Sequence, residues 1–560
     1  MQVSINWLKE LVDLNLPIKK LVEVLPLKTI GIKKVTDQYI ELDMKGYNRT
    51  DLLSMRGVAY EVSALTNSRI FFQEPQEPEF AWNQTKLPNS KVIVKDTKSA
   101  PLYCVVKIEK LKVGKSSLET IRKLEESGMR SINNIADITN LIMLEYGQPL
   151  HAFDTERVAN GEIILRAASQ KEEIVTLDGK TRKLSGDLLI TDPTKAIGIA
   201  GVMGGQNSEI TDTTNAIFLE AAIFDSAAIR KTTMGLGLPS EASKRFQHGL
   251  TKKRLLQALD AAIKMYQVLG GRLISFTMTG NFEDQPKNIH LRKEKLESLV
   301  GVNFTVKQVE EYLTRLNFKF EAIEGGWEVQ PPYFRLDITI EEDIIEEVAR
   351  MYGYEKIPPA RVVEMEPLQK EDPIFNQIRK LKQELFKIGF TEIQTYSFYS
   401  TQVLNALGFD ETNRKILVKV ANPISSETEY LRMNIWPNLA EVVGRNIKKG
   451  YKDIGIFEIG KTFQVDKAGN PSEQYRLSIA LSNNSDNPIE ELISLTKKMN
   501  LNLELLESKP EGVGTTLFHP KRFVRVEKDG KFIGGLAEVH LRVLNKLGIE
   551  KRVAVLELHI

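Results

Sequence analysis

The sequence predicts a multidomain α+β protein, and three observations carry that expectation. At roughly 100–200 residues per domain, 560 residues predict about three to five domains. Helical periodicities and alternating strand patterns come in mixed runs rather than strict βαβ order. Two proline-bearing stretches, QEPQEPEFAWNQTKLP (73–88) and KIPPARVVEMEPLQKEDP (356–373), lack periodicity and read as extended linkers.

These breaks give four expected modules: 1–72, 89–283, 287–358 and 371–560. The first opens with Ile5, Leu8, Leu11 and Val12 at helical spacing, with Ser4 placed to cap. The piece between the linkers is too long for one small core and is expected to divide near GNFEDQPKN (280–288). The last module starts with an amphipathic helix, IFNQIRKLKQELFKIGF, and continues through alternating segments such as YKDIGIFEIGKTFQV. In RFVRVEKDGKFIGGLAEV, Lys528-Asp529-Gly530-Lys531 sits between two alternating runs and predicts a β-hairpin turn.

Composition narrows the function classes. The 76 Lys and Arg against 74 Asp and Glu leave a net charge of +2, so any nucleic-acid contact must come from a local patch. The densest basic cluster, Arg445, Lys448, Lys449 and Lys452, reads as a solvated helix face. The single cysteine, Cys104, has no intramolecular disulfide partner and suits a reducing, cytoplasmic compartment. No run of about 18 apolar residues predicts a membrane span, and the charged N-terminus is not a secretion signal. One Cys and six His give no zinc-ligand spacing.

Three constellations could carry chemistry. In LDITIEEDIIEEVARMYGYEKIPP (336–359), Asp343, Glu346 and Glu347 share one helix face opposite Ile344, Ile345, Val348 and Met351. Asp337, on an expected strand, could fold over the first turn, and four converging carboxylates would suit Mg²⁺. Acids in a first helical turn also serve the macrodipole alone. In NNIADITNLIMLEYGQPLHAFD (133–154), His151 is expected in a loop after a helix, where it could orient a water or take a proton. Thr139, Asn140 and the glycine-rich AIGIAGVMGG, which contains Gly201, could add a hydroxyl, an amide and close main-chain approaches. That glycine spacing satisfies neither a P-loop nor a dinucleotide fingerprint. Glu220 lies inside the apolar run AIFLEAAIFD, so it either contacts a ligand or is satisfied by backbone amides.

These segments together resemble the β subunits of phenylalanyl-tRNA synthetases. VSINWLKELVDL, DMKGYNRTDLLSMRGVAYEVSAL, INNIADITNLIMLEYGQPLHAFD, GIAGVMGG, LEAAIFD and GLPSEASKRFQHGL follow in family order, then DITIEEDIIEEVARMYGYEKIP, YKDIGIFEIGKTF, FHPKR and IGGLAEVHLRVL. The resemblance implies a B3/B4 editing domain, a winged-helix-like B5 domain and a catalytically silent, class II synthetase-like antiparallel-sheet module (B6/B7). It implies a short bacterial form: no OB-type insert after residue 38, and no C-terminal anticodon-binding domain after AVLELHI. Asp337, Asp343, Glu346 and Glu347 match Mg²⁺-binding positions shared with an α subunit. Thr139, Asn140, His151, Gly201 and Glu220 match a pocket that hydrolyses mischarged Tyr-tRNA(Phe), with Glu220 recognising the tyrosine hydroxyl. ATP-dependent charging of tRNA(Phe) would belong to an (αβ)₂ assembly with the active site in α. Neither a membrane nor DNA is an expected partner. The competing readings are a free-standing editing hydrolase and a non-catalytic tRNA-handling scaffold.

Overall fold

The computed structural model describes residues 1–73, 87–285, 287–360, 371–410, 413–466, 468–483, 485, 487–499, 501–511 and 514–560. Most of both expected linkers, 74–86 and 361–370, lies outside the described residues. The chain forms two compact units, residues 1–361 and 362–560.

The first unit opens with the expected helix, Ile5–Leu11, whose N-cap Ser4 accepts from the Trp7 N–H. Ser4 also donates to Glu126, so the cap is anchored to a distant part of the chain. Trp7, Leu8 and Leu11 bury their shared face against Met55, Val58 and Val62 of helix Met55–Thr66. A three-stranded antiparallel sheet (Gln2–Ser4, Tyr39–Leu42, Ile32–Val35) completes this part. Only residues 36–38 join its last two strands, with Thr36 Oγ1 accepting from the Gln38 and Tyr39 N–H groups.

The centre of the unit holds two sheets. One is four-stranded and antiparallel, in the order Arg272–Gly280, Leu102–Glu109, Ile217–Ile223, Leu150–Asp154. The other is five-stranded, in the order Met203–Gly204, Ala196–Ile199, Leu188–Thr191, Glu162–Ala167, Lys91–Val94. All seven residues of Ile217–Ile223 are buried, which explains its near-continuous apolar run. Helix Asn134–Tyr146 is fixed at both ends. Asn133 caps its first N–H groups, and Gly147 ends it at φ 80°, a conformation costly for other residues.

Next come the three-stranded sheet Ile289–Arg292, Gly326–Gln330, Lys319–Ile323 and the helices Lys293–Val300, Val306–Arg315 and Glu341–Tyr352. Leu291, Leu313, Trp327, Val329 and Ile344 form their core.

The second unit is built on a seven-stranded sheet: Thr391–Glu392, Ile454–Val465, Pro471–Ser482, Ala554–His559, Lys531–Val539, Phe518–Lys528, Glu504–Glu507. Every pairing is antiparallel except the first. The amphipathic helix predicted after the second linker spans Pro373–Lys387 and buries Leu381 and Leu385. Arg445, Lys448, Lys449 and Lys452 are exposed, as a solvated helix end requires. The hairpin turn is present, with Lys528 paired to Lys531 and positive φ at both Asp529 (51°) and Gly530 (70°). Two positive φ values in a two-residue loop match the right-handed twist of the flanking strands. Gly530→Val should therefore cost about 1 kcal/mol of stability, read as a lower denaturant midpoint for the full chain. An unchanged midpoint would show that the turn does not constrain this hairpin.

Candidate functional site

The fold brings together three of the five residues expected to form a pocket: His151, Gly201 and Glu220. Glu220 on Ile217–Ile223 lies directly opposite His151 on Leu150–Asp154. Directly paired antiparallel residues project from the same face, so carboxyl and imidazole face one space 69 residues apart in sequence only. That space is a cavity of about 80 Å³ lined by His151, Gly201, Met203, Gly204, Glu220 and Phe246, among others. His151 is thus a strand residue, not a loop residue. Pairing of all five residues of its strand with Ile217–Ile223 overrides the turn signal that Gly147 and Pro149 give.

Thr139 and Asn140 do not line this cavity. Both sit on helix Asn134–Tyr146, where Thr139 is buried and donates back to the Ala136 carbonyl at 2.7 Å.

Glycines give the cavity its shape. Gly201 has φ +66°, and a Cβ there would come within 2.8–3.0 Å of Ile229, Phe224 and Phe246. A Cβ at Gly204 would lie 2.6 Å from the His151 ring. The bare main chain at 204 is what lets the imidazole lie against it.

Burial sets the electrostatics. Desolvation lowers the His151 pKa to about 4, so the ring is neutral at physiological pH. Its edge meets Phe153, with ring centres 4.6 Å apart. Desolvation raises the Glu220 pKa to about 8, against an opposing hydrogen bond from Tyr103. The Tyr103 hydroxyl donates to Glu220 Oε2 at 3.0 Å. Glu220 is therefore satisfied by a phenol, not by backbone amides. Nothing in LYCVVKIE singles out Tyr103, which reads there as one more apolar strand residue.

A larger cavity, about 1,020 Å³, lies in the second unit, walled by Tyr399, Trp436, Phe518 and Phe523. Its acid, Glu557, is already engaged by Arg476, the Asn434 amide and the Ile435 and Trp436 N–H groups at 2.6–3.0 Å. Size alone does not make it the reactive site; of the two cavities, the smaller is the one that sets His151 and Glu220 face to face.

The four acids expected to bind Mg²⁺ are placed differently from one another. Asp337 lies in a turn, not on a strand, and its carboxylate is held by Arg335 at 2.7 and 2.9 Å. Asp343 reaches back to the Thr339 and Ile340 N–H groups at 2.6 and 2.9 Å, fastening the helix start. Glu346 is exposed. Glu347 is only 4% exposed and lies between Arg335 and Arg350, each 2.6 Å away. The i, i+3, i+4 spacing is real, yet it does not keep Glu347 on the solvent face, because two buried guanidiniums draw it inward. Among the described residues, no group of three or more His, Cys, Asp or Glu is arranged to hold an ion. As they stand, the four do not make a coordination set within this chain.

Asp337 and Glu347 belong instead to a largely buried ion network. Arg350 also contacts Glu61; Glu61 and Asp51 both contact Arg49 at 2.7 Å. Burial would raise the Glu347 pKa, but Arg335 and Arg350 hold it well below the usual range; Arg350 and Arg49 likewise bring Glu61 to about 2. The arginines were not singled out in the sequence, although NRTD at 48–51 carries one of the pairs.

Residues 99–271 match the B3/4 domain, 289–354 the tRNA synthetase B5 domain, and 357–560 the phenylalanyl tRNA synthetase beta chain CLM domain. These are modules of aminoacyl-tRNA synthetases. The chain is 34% identical over 538 residues to the phenylalanine–tRNA ligase beta subunit of Syntrophus aciditrophicus, covering 92% of this chain and 66% of that one. It is 34% identical over 554 residues to that of Carboxydothermus hydrogenoformans (94% and 67%) and 32% over 547 residues to that of Bacillus subtilis (94% and 67%). The chain belongs to the phenylalanine–tRNA ligase beta subunit family. It spans about two thirds of the length of these relatives.

The ion network makes a signed prediction. Glu61 and Glu347 have depressed pKa values in the folded state, so their contribution is present above the unfolded carboxyl pKa and is lost as pH falls through the folded one. Melting temperature should therefore drop between about pH 4.5 and 2. Glu347→Gln, which leaves Arg335 only Asp337 and Arg350 only Glu61, should cost about 1–3 kcal/mol at pH 7 and flatten that acid slope. A variant melting like the wild type at both pH values would remove the network from the stability of this unit.

Proposed function

We propose that this chain is the β subunit of a phenylalanine–tRNA ligase and hydrolyses mischarged Tyr-tRNA(Phe) in the His151–Glu220 cavity. The observation that carries this reading is a neutral imidazole strand-paired with a buried carboxyl in a cavity floored by bare glycine main chain.

The chemistry follows from those groups. A buried carboxyl facing a ligand's phenol can exchange a hydrogen bond with it, and a ligand lacking that hydroxyl leaves the carboxyl's second oxygen unpaired. Such a site separates Tyr from Phe far better than an apolar pocket could. An imidazole with a pKa of about 4 is a weak base at pH 7 but a good hydrogen-bonding group. His151 therefore orients the attacking water or the terminal ribose rather than storing a proton. The water adds to the ester carbonyl, the ester C–O bond breaks, and tyrosine leaves with the tRNA hydroxyl restored. The cavity, at about 80 Å³, is below the roughly 300–1,000 Å³ of most ligand sites, so Met203, unbranched and flexible, must move to admit the ring.

Charging of tRNA(Phe) with phenylalanine, using ATP and Mg²⁺, belongs in this reading to an (αβ)₂ assembly in the cytoplasm. An ion near Asp337, Asp343, Glu346 and Glu347 would need further ligands from the α subunit. No helix among the described residues is long and apolar enough to cross a membrane.

Two experiments test the proposal. Co-expressed with the candidate α subunit, the chain should elute at an (αβ)₂ mass, and Phe charging should require both. Separate elution, with α charging alone, would overturn the subunit reading. Within the assembly, Glu220→Ala should slow Tyr-tRNA(Phe) deacylation by about tenfold or more while sparing Phe charging. Unchanged deacylation would take Glu220 out of the pocket's chemistry.

A further inference from the structure

We infer that Tyr103 is the positioning residue for Glu220: its hydroxyl clamps one carboxyl oxygen from behind the pocket and leaves the other as the contact offered to a ring hydroxyl. This rests on the proposed deacylation site and adds to it a residue that lines no part of the cavity.

The placement is set by register. On strand Leu102–Glu109, Val105 lies directly opposite Glu220, and Tyr103 lies opposite Ala222. Tyr103 is thus the diagonal neighbour of Glu220 on the same sheet face, a separation that aromatic side chains can bridge. Its hydroxyl meets Glu220 Oε2 at 3.0 Å, and this is the carboxyl's hydrogen bond among the described residues. The phenol is fully buried, where a Phe would pack without needing an acceptor. Its ring also leans on Phe224, which leans on Phe246, the two rings that a Cβ at Gly201 would strike. The same aromatic row therefore backs both the carboxyl and the glycine turn.

A carboxyl with one oxygen tethered has lost most of its freedom to rotate, so a single orientation is presented to the ligand before it arrives. The titratable groups facing Glu220 are Tyr103 on one neighbouring strand and His151 on the other. His151 is neutral, so the tether rather than an ion pair decides the orientation.

The test uses the full chain with its α partner and two substrates, Tyr-tRNA(Phe) and Phe-tRNA(Phe). Tyr103→Phe keeps the ring and removes the tether. It should lower kcat/KM for Tyr-tRNA(Phe) about tenfold, mainly through KM, while the slow hydrolysis of Phe-tRNA(Phe) stays unchanged and the melting temperature falls modestly, because Glu220 loses its buried partner. Equal loss on both substrates would show a structural role and overturn the inference. Normal editing by Tyr103→Phe alongside a defective Glu220→Ala would also overturn it, while leaving the pocket assignment intact. Normal editing by both variants would overturn the two together. As a second variant, Glu220→Asp withdraws the carboxyl from Tyr103 instead. Because Glu220→Asp also shortens the group that meets the ligand, it is read against the double variant Glu220→Asp/Tyr103→Phe: equal Tyr-tRNA(Phe) editing by the two supports the clamp, and a further loss in the double variant overturns it.

Discussion

Buried arginines cannot be left without partners, and that constraint organises the first unit. Arg49, Arg335 and Arg350 are each at most 8% exposed, and each is ion-paired with carboxylates drawn from Asp51, Glu61, Asp337 and Glu347. A charge taken out of water at such depth is tolerable only when paired and hydrogen-bonded. The pairs cross the unit: Arg350 on helix Glu341–Tyr352 meets Glu61 on helix Met55–Thr66, 289 residues away. The ion pairs thus tie helix Glu341–Tyr352 to helix Met55–Thr66 at a defined point along each. An apolar contact of equal area would hold them together without fixing that point as sharply.

The same reasoning applies on a smaller scale in the pocket. Glu220 sits in a strand buried on both faces, where a carboxyl without a partner would be strongly disfavoured. Tyr103 supplies one bond and the cavity exposes the rest of the group. The carboxyl is consequently half satisfied, which gives it both a fixed orientation and an unmet capacity. Gly201 and Gly204 complete the site by what they lack. A methyl group at either position would strike the aromatic wall or the imidazole. Chemistry here comes from a sheet register and two missing side chains, not from a contiguous motif.

Much of this was legible in the residues themselves. The Ser4 cap, the Asp529-Gly530 turn and the amphipathic helix after the second linker all appear where their local signals put them. His151, Gly201 and Glu220 were picked out, and the fold brings them to one cavity. Other readings gave way to tertiary context. His151 became a strand residue because Ile217–Ile223 offered it a pairing edge. Glu347 turned inward because Arg335 and Arg350 were already there. Tyr103 carried no distinguishing mark in an apolar strand.

The sequence alone determined the α+β character, the local caps and turns, and the family to which the chain belongs. Those features arise from interactions spanning a few residues, or from motifs whose order along the chain is itself the signal. The tertiary structure alone decided which carboxylates bind arginine, which hydroxyl holds Glu220, and how little room the pocket leaves. Tyr103 and Glu220 are 117 residues apart, and no periodicity in the chain encodes that pairing. Such contacts exist only once strand register and helix docking have fixed the distances, because hydrogen bonds and buried ion pairs act over a few ångströms in space rather than along the sequence.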